Sequence, residues 1–151
     1  MPGYHTGPAS HLGYLTGARH SHLDSAGYSL DQKAASKGQA LIADDVAEAL
    51  LKEERWRQVL TSLSICLFAR GVYTPEVSLS ALASLGFDSN TERLEGLGRD
   101  TLHRKYAFKI REGFDFADLR LPHRIFETPS PAGQFDEDFI RQVIRLYAQK
   151  V

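Results

Sequence analysis

DDVAEALLKEERWRQVLTSLSICLFARG, residues 44–71, holds the pattern on which the fold class turns. Asp44 or Asp45 offers a carboxylate as an N-cap, and Val46, Ala49 and Leu50 recur behind it at helical spacing, which predicts a helix ending near Glu54. From Trp56 to Ala69 the residues Val59, Leu60, Leu63, Ile65, Cys66, Leu67 and Phe68 leave almost no polar side, the pattern of a helix buried all round. Gly71 follows as its expected C-terminal cap.

Further helices follow downstream. Thr74, Pro75 and Glu76 mark a helix start, since proline at the first helical position loses no hydrogen bond and the acid faces the dipole favourably. Leu79, Leu82 and Ala83 supply its buried face, and Gly86 ends it. Ser89 and Glu92 form a capping box for the longest helix, which runs through Leu94, Leu97, Leu102, Tyr106 and Ile110 to Gly113. Gly96 and Gly98 each weaken that helix by about 1 kcal/mol relative to alanine, which close approach of a neighbouring backbone explains. Between Phe114 and Gln134, Pro122, Pro129 and Pro131 exclude a long helix and predict an extended strap pinned by Leu121, Ile125 and Phe126. Asp136 caps the last helix, Phe135 and Ile140 are placed for a hydrophobic staple, and Ile140, Val143, Ile144 and Tyr147 share one face. No strand pair shows. The expected fold is all-α, with about five helices in residues 44–151.

Residues 1–43 read differently. The opening MPGYHTGPASHLGYLTGARHSHLDSAGYSLD holds four of the six histidines, five of the twelve glycines and three of the six tyrosines, with no apolar run to bury them. Glycine and histidine gathered in a loop let a backbone pass close to a ligand. The segment is therefore expected to be irregular and to form one wall of a site.

Composition narrows the function. With 151 residues, 42% apolar, 25% charged and a net charge of −1, the chain reads as one soluble globular unit without the basic face that nucleic acid or an acidic membrane selects. No stretch reaches the roughly 18 apolar residues of a membrane span. The N-terminus lacks the order of a secretory signal, so a cytoplasmic setting is expected. A single cysteine, Cys66, excludes an internal disulfide and fits a reducing compartment.

Cys66 is either a small core residue or a thiolate ligand near a helix end, whose companion ligands would come from elsewhere. His20 and His22 lie two apart and share a face of an extended backbone. They can hold a metal, polarise a substrate or be solvated loop residues. Arg19, Asp24 and Asp31 can orient a histidine, bind an anion or stay solvated. His5 and His11 add density without geometry, and His103 and His123 read as surface residues. No Gly-rich phosphate loop, GxSxG or HExxH is present.

Three separated stretches resemble one family. GYHTGPASHLGYLTGARHSHLDSAGYSLD (3–31) is similar to the loop of tungsten-containing aldehyde ferredoxin oxidoreductases that leads into a histidine beside the substrate. SLSICLF (62–68) resembles that family's segment ending in the fourth cysteine of a 4Fe-4S cluster. KYAFKIREGFDFADLRLPHRIFETPSPAGQFDEDF (105–139) resembles its C-terminal passage, where a helix ends in Arg-Glu-Gly and a proline strap leads to the last helix. The resemblance runs from Pro2 to about Tyr147, about the final quarter of the family's usual length.

The resemblance implies that Cys66 is a cluster ligand and that His22, or His20 in a competing alignment, lies near the substrate carbonyl. Thr61 and Ser64 stand where relatives commonly carry an Asp and a Gly that meet the pterin; Lys109 stands where many have Asn, and YAQKV lacks the usual Arg-Gly-Trp ending. These departures suggest a side branch. The implied complete enzyme oxidises a small aldehyde to a carboxylate at a tungsten or molybdenum bis-pterin centre and passes electrons through the 4Fe-4S cluster to a ferredoxin-like acceptor. The cofactor-binding N-terminal domain and the CxxCxxxC of that family lie outside these residues, so the expected partner is a missing domain or upstream subunit. This chain alone is expected to hold neither cofactor and to be inactive. Met1, the only methionine, fits a start inside a longer or split gene. Three other readings stand: a non-catalytic helical interaction module, part of a related tungsten enzyme that reduces an activated aromatic ring, and a mononuclear metal held by His20 and His22. A fragment so apolar is expected, when alone, to self-associate or to leave residues 1 to 40 partly unstructured.

Overall fold

A computed structural model describes residues 5–18, 26–38, 40–131 and 133–151. The helices are α1 (Pro8–Thr16), α2 (Ala26–Lys37), α3 (Ala43–Ser62), α4 (Pro75–Ser84), α5 (Thr91–Arg111), α6 (Arg124–Glu127) and α7 (Glu137–Lys150), with a 3-10 turn at Leu67–Ala69. The fold is all-α, and among the described residues the only extended pairing is an isolated bridge between Ser130 and Gly133. No helix among them is long and apolar enough to cross a membrane.

Helix α3 is the axis of the molecule, packing against α5 on one side and α7 on another. It runs unbroken through the place where two helices were expected, because Lys52, Glu53, Glu54 and Arg55 are all good helix formers and neither Gly nor Pro interrupts them. It begins at Ala43, with Asp44 and Asp45 inside the first turn facing the dipole and no side chain capping it.

The C-terminal end of α3 corrects the buried helix expected over Trp56 to Ala69. Ser64 adopts φ 59°, its N–H bonds the Thr61 carbonyl at 3.1 Å, and the Ile65 N–H bonds that of Leu60 at 2.9 Å. This is the paired-bond Schellman ending, with serine in the left-handed position that favours glycine. Helices α4 and α5 end the same way at Gly86 (φ 81°) and Gly113 (φ 92°), with Phe87 bonded to Leu82 at 3.0 Å and Phe114 to Lys109 at 2.9 Å. Beyond Ser64 the chain turns outward. Cys66 and Phe68 are therefore exposed, and Gly71 lies past the 3-10 turn instead of capping a helix.

Helix α5 is capped by Asn90, whose side chain accepts from the Arg93 N–H at 2.9 Å, one residue beyond the expected Ser89 box. It buries Leu94, Gly98, Leu102 and Tyr106, while Leu97 and Ile110 face outward. Close backbone approach explains Gly98 but not Gly96. A Cβ on Gly98 would lie 2.4 Å from the Arg55 carbonyl, whereas one on Gly96 would meet only the tip of Arg99, at 3.7 Å. Helix α4 starts at Thr74 and Pro75 as expected, yet only Ser78 is fully buried and Ala83 is exposed. In the strap, Ile125 is buried and a single turn, α6, interrupts the extended run. Asp136 caps α7 through the Asp138 N–H at 2.9 Å, and Phe135 and Ile140 are both buried beside it.

The opening segment is not irregular throughout. Helices α1 and α2 form in it, and Ala9 and Leu12 join Leu50, Ile140, Ile144 and Tyr147 in one core. Pro8 at the first helical position begins α1. Gly27 lets α2 lie directly on it, since a Cβ there would overlap the Ala9 carbonyl at 1.7 Å.

Candidate functional site

Cys66 precedes the 3-10 turn with its thiol at the surface, the free cysteine of the chain. Phe68 beside it is 79% exposed, and Val72, Val77, Leu85 and Phe87 in the segments that follow are also uncovered. Thr61, one turn earlier, donates its hydroxyl to its own helix, to the carbonyls of Arg57 at 2.9 Å and Gln58 at 3.2 Å. Ser64 is exposed, with the positive φ that glycine adopts most easily. His20 and His22, with Arg19 and Asp24, lie outside the described residues.

The chain that leads to those histidines is held by a buried polar network. Tyr106 donates its hydroxyl to the Thr16 carbonyl. Its oxygen accepts in turn from Tyr147, 3.2 Å away. Lys109 donates from Nζ to the Gly17 carbonyl at 3.2 Å, and the Ala18 N–H donates to Glu54 Oε2 at 3.3 Å. Glu54, Tyr106 and Tyr147 are buried; Lys109 is half-buried, with its ammonium 3.9 Å from the centre of the Phe114 ring. Burial pushes both phenols well above their usual range, with the charge of Glu54 adding to it. Both tyrosines are thus neutral donors. Burial pulls Lys109 below its usual value, partly opposed by Glu54.

Asp31 and His5 tie the same opening segment down. The Asp31 carboxylate, expected as an orienter, an anion binder or a solvated charge, is buried and accepts from the N–H groups of Ala9 at 3.0 Å and Ser10 at 2.7 Å. It caps α1, whose own cap residue is Gly7. Burial raises its pKa against the pull of these bonds. His5 donates from Nε2 to the Thr128 carbonyl at 2.8 Å, which leaves its Nδ1 to accept from His11 Nε2 at 2.8 Å. The two rings pack on Phe135, and burial together with the neighbouring imidazole lowers the pKa of His11 to about 4. Sequence density therefore did conceal geometry, a structural pair at the foot of α1. His103 and His123 are exposed, the latter 3.0 Å from Glu127.

The network was legible in part. Val46, Leu50, Glu54 and Gln58 follow one another at i+4, which places the Glu54 carboxylate on the apolar face of α3; Leu94, Gly98, Leu102 and Tyr106 do the same for a phenol on α5. A cleft of about 900 Å³ between α3 and α5, lined in part by Arg55, Trp56, Leu94 and Arg99, contains none of Thr61, Ser64 and Cys66. Among the described residues no three His, Cys, Asp or Glu side chains gather as a metal site.

The chain matches the family described as aldehyde ferredoxin oxidoreductase, domains 2 and 3, over residues 1–149. It belongs to that family. No curated protein and no solved structure matches it.

Proposed function

We propose that this chain is the C-terminal helical part of an aldehyde ferredoxin oxidoreductase-like enzyme, which converts an aldehyde and water to a carboxylate, two electrons and protons. The observation that carries the reading is the exposed Cys66 thiol, set beyond the tight end of α3 among uncovered apolar side chains, in a chain with the family's match along nearly its whole length. A 4Fe-4S cluster requires four thiolates, and this chain contains one cysteine. Its donor set fits one ligand position, with the rest supplied by the cofactor-binding partner. In the complete enzyme a tungsten or molybdenum bis-pterin centre would supply the two-electron oxidation, and a 4Fe-4S cluster would connect it to a ferredoxin-like acceptor. Cys66 would be the one cluster ligand from this chain, on the turn beyond the end of α3. His22, or His20, hydrogen-bonds the substrate oxygen and takes part in proton transfer. The setting is cytoplasmic and reducing, where an accessible thiol persists.

Co-expressed without oxygen with the polypeptide that carries the other three cysteines, the wild-type chain should yield a stable iron-sulfur complex. Cys66→Ser should lower its iron content or shift the cluster potential; unchanged iron stoichiometry and redox behaviour would refute the ligand role. The exposed apolar side chains also favour a second reading, a non-catalytic module that docks on a partner. A complex that forms without iron and tolerates Cys66→Ser would select that reading.

A further inference from the structure

We propose that Glu54, Tyr106 and Lys109 act as positioning residues, a clasp that fixes the three residues leading into the histidine-bearing segment 19–25. The inference rests on the reading of His22 or His20 as the substrate-side group. Three consecutive residues are each gripped by a different side chain: Thr16 by Tyr106, Gly17 by Lys109 and Ala18 by Glu54. Each bond is made to the backbone, so it sets the path of the chain irrespective of the side chains along that path.

The end of α1 differs from those of α3, α4 and α5. Helices α3, α4 and α5 close on themselves through Schellman bonds at Ser64, Gly86 and Gly113. Gly17 has instead φ −56° and ψ 148°, an extended exit, and the Thr16 and Gly17 carbonyls are satisfied by side chains of α5. Glycine and water suffice to finish an ordinary helix. A buried carboxylate, a buried phenol and a half-buried ammonium are costlier groups to place there.

The clasp is itself braced. Tyr147 donates to the Tyr106 oxygen, Phe116 stacks on the Tyr106 ring at 5.5 Å, and Phe114 lies under Lys109. Gly17 has no room for a Cβ, which would come within 2.4 Å of the Gly13 carbonyl and 2.9 Å of Glu54 Oε1. From Ala18 the chain has two peptide links to His20, a reach of at most about 7 Å. The clasp thereby fixes the point from which the histidine-bearing segment departs.

The test is made on the full chain by amide hydrogen exchange and histidine-resolved NMR titration of Lys109→Met, Tyr106→Phe and Lys109→Arg. Lys109→Met and Tyr106→Phe should speed exchange at Gly17 and Ala18 by at least about tenfold and move the His20 and His22 ring signals, with exchange in α3 changed by less than about twofold. Lys109→Arg, which keeps a donor, should restore both readouts. Unchanged behaviour at residues 17–22, or acceleration spread evenly through α3, would overturn the clasp. In the complete enzyme Lys109→Met should lower kcat for aldehyde oxidation more than it changes KM; a change in KM alone would also count against it. His20→Ala and His22→Ala separate the two claims. Should both retain aldehyde oxidation while the clasp variants behave as stated, the assignment of the histidines fails and the clasp stands.

Discussion

Ser64 occupies a backbone conformation that glycine adopts without penalty, at φ 59°. Its two relatives in this fold, Gly86 and Gly113, use the same turn. A residue with a Cβ in that region is strained by about 1 to 2 kcal/mol. Ser64→Gly should therefore stabilise the chain, by about 1 kcal/mol once the added freedom of the unfolded glycine is subtracted. A rise in the denaturant midpoint at unchanged slope measures it; no rise would mean that the Ser64 hydroxyl makes a compensating bond. Ser64 is thus accounted for locally, as the residue that terminates α3. Thr61 differs, since its hydroxyl is already committed to the carbonyls of its own helix.

At the scale of elements, starts were more legible than ends. Thr74 with Pro75, and Asp136 with its Phe135 and Ile140 staple, carry their signal in a few adjacent residues, and all form as expected. The end of α3 was hidden because Ser64 gives no hint of a left-handed turn, and the apolar run continues unbroken past it. Helices α1 and α2 were hidden for a different reason. Their stability comes from Asp31, from core contacts and from the bare approach of Gly27 to Ala9, all partners distant in sequence or visible only once folded. Gly96 and Gly98 show how far the packing decides. Gly98→Ala should destabilise by about 1 to 3 kcal/mol, since its methyl would strike the Arg55 carbonyl of α3. Gly96→Ala should instead stabilise by up to about 1 kcal/mol. Thermal unfolding of the two variants side by side provides the check, and equal shifts would contradict the α3–α5 contact.

Across the whole molecule the core and the site obey different rules. The core is one cluster of α1, α3, α5 and α7, and its residues were largely readable from helical periodicity. The proposed site rests on likeness to a family, because Cys66, His20 and His22 form no complete ligand or catalytic set in the sequence by themselves. Phe68, Val72, Leu85 and Phe87 stand in solvent, for nothing among the described residues folds over them. The purified chain alone should consequently self-associate as concentration rises, and a Phe68→Ser, Leu85→Ser double variant should restore the monomer in sedimentation. Monomers of the unmodified chain at high concentration would show this face to be tolerated bare.

One bond in the fold joins the far ends of the chain: His5 reaches the Thr128 carbonyl across 123 residues, and α1 shares its core with α7. During synthesis the histidine-bearing opening leaves the ribosome long before the helix that seats it. It has to wait until the chain 123 positions further on has been made, so the anchor of the His5 imidazole forms long after that imidazole has itself emerged.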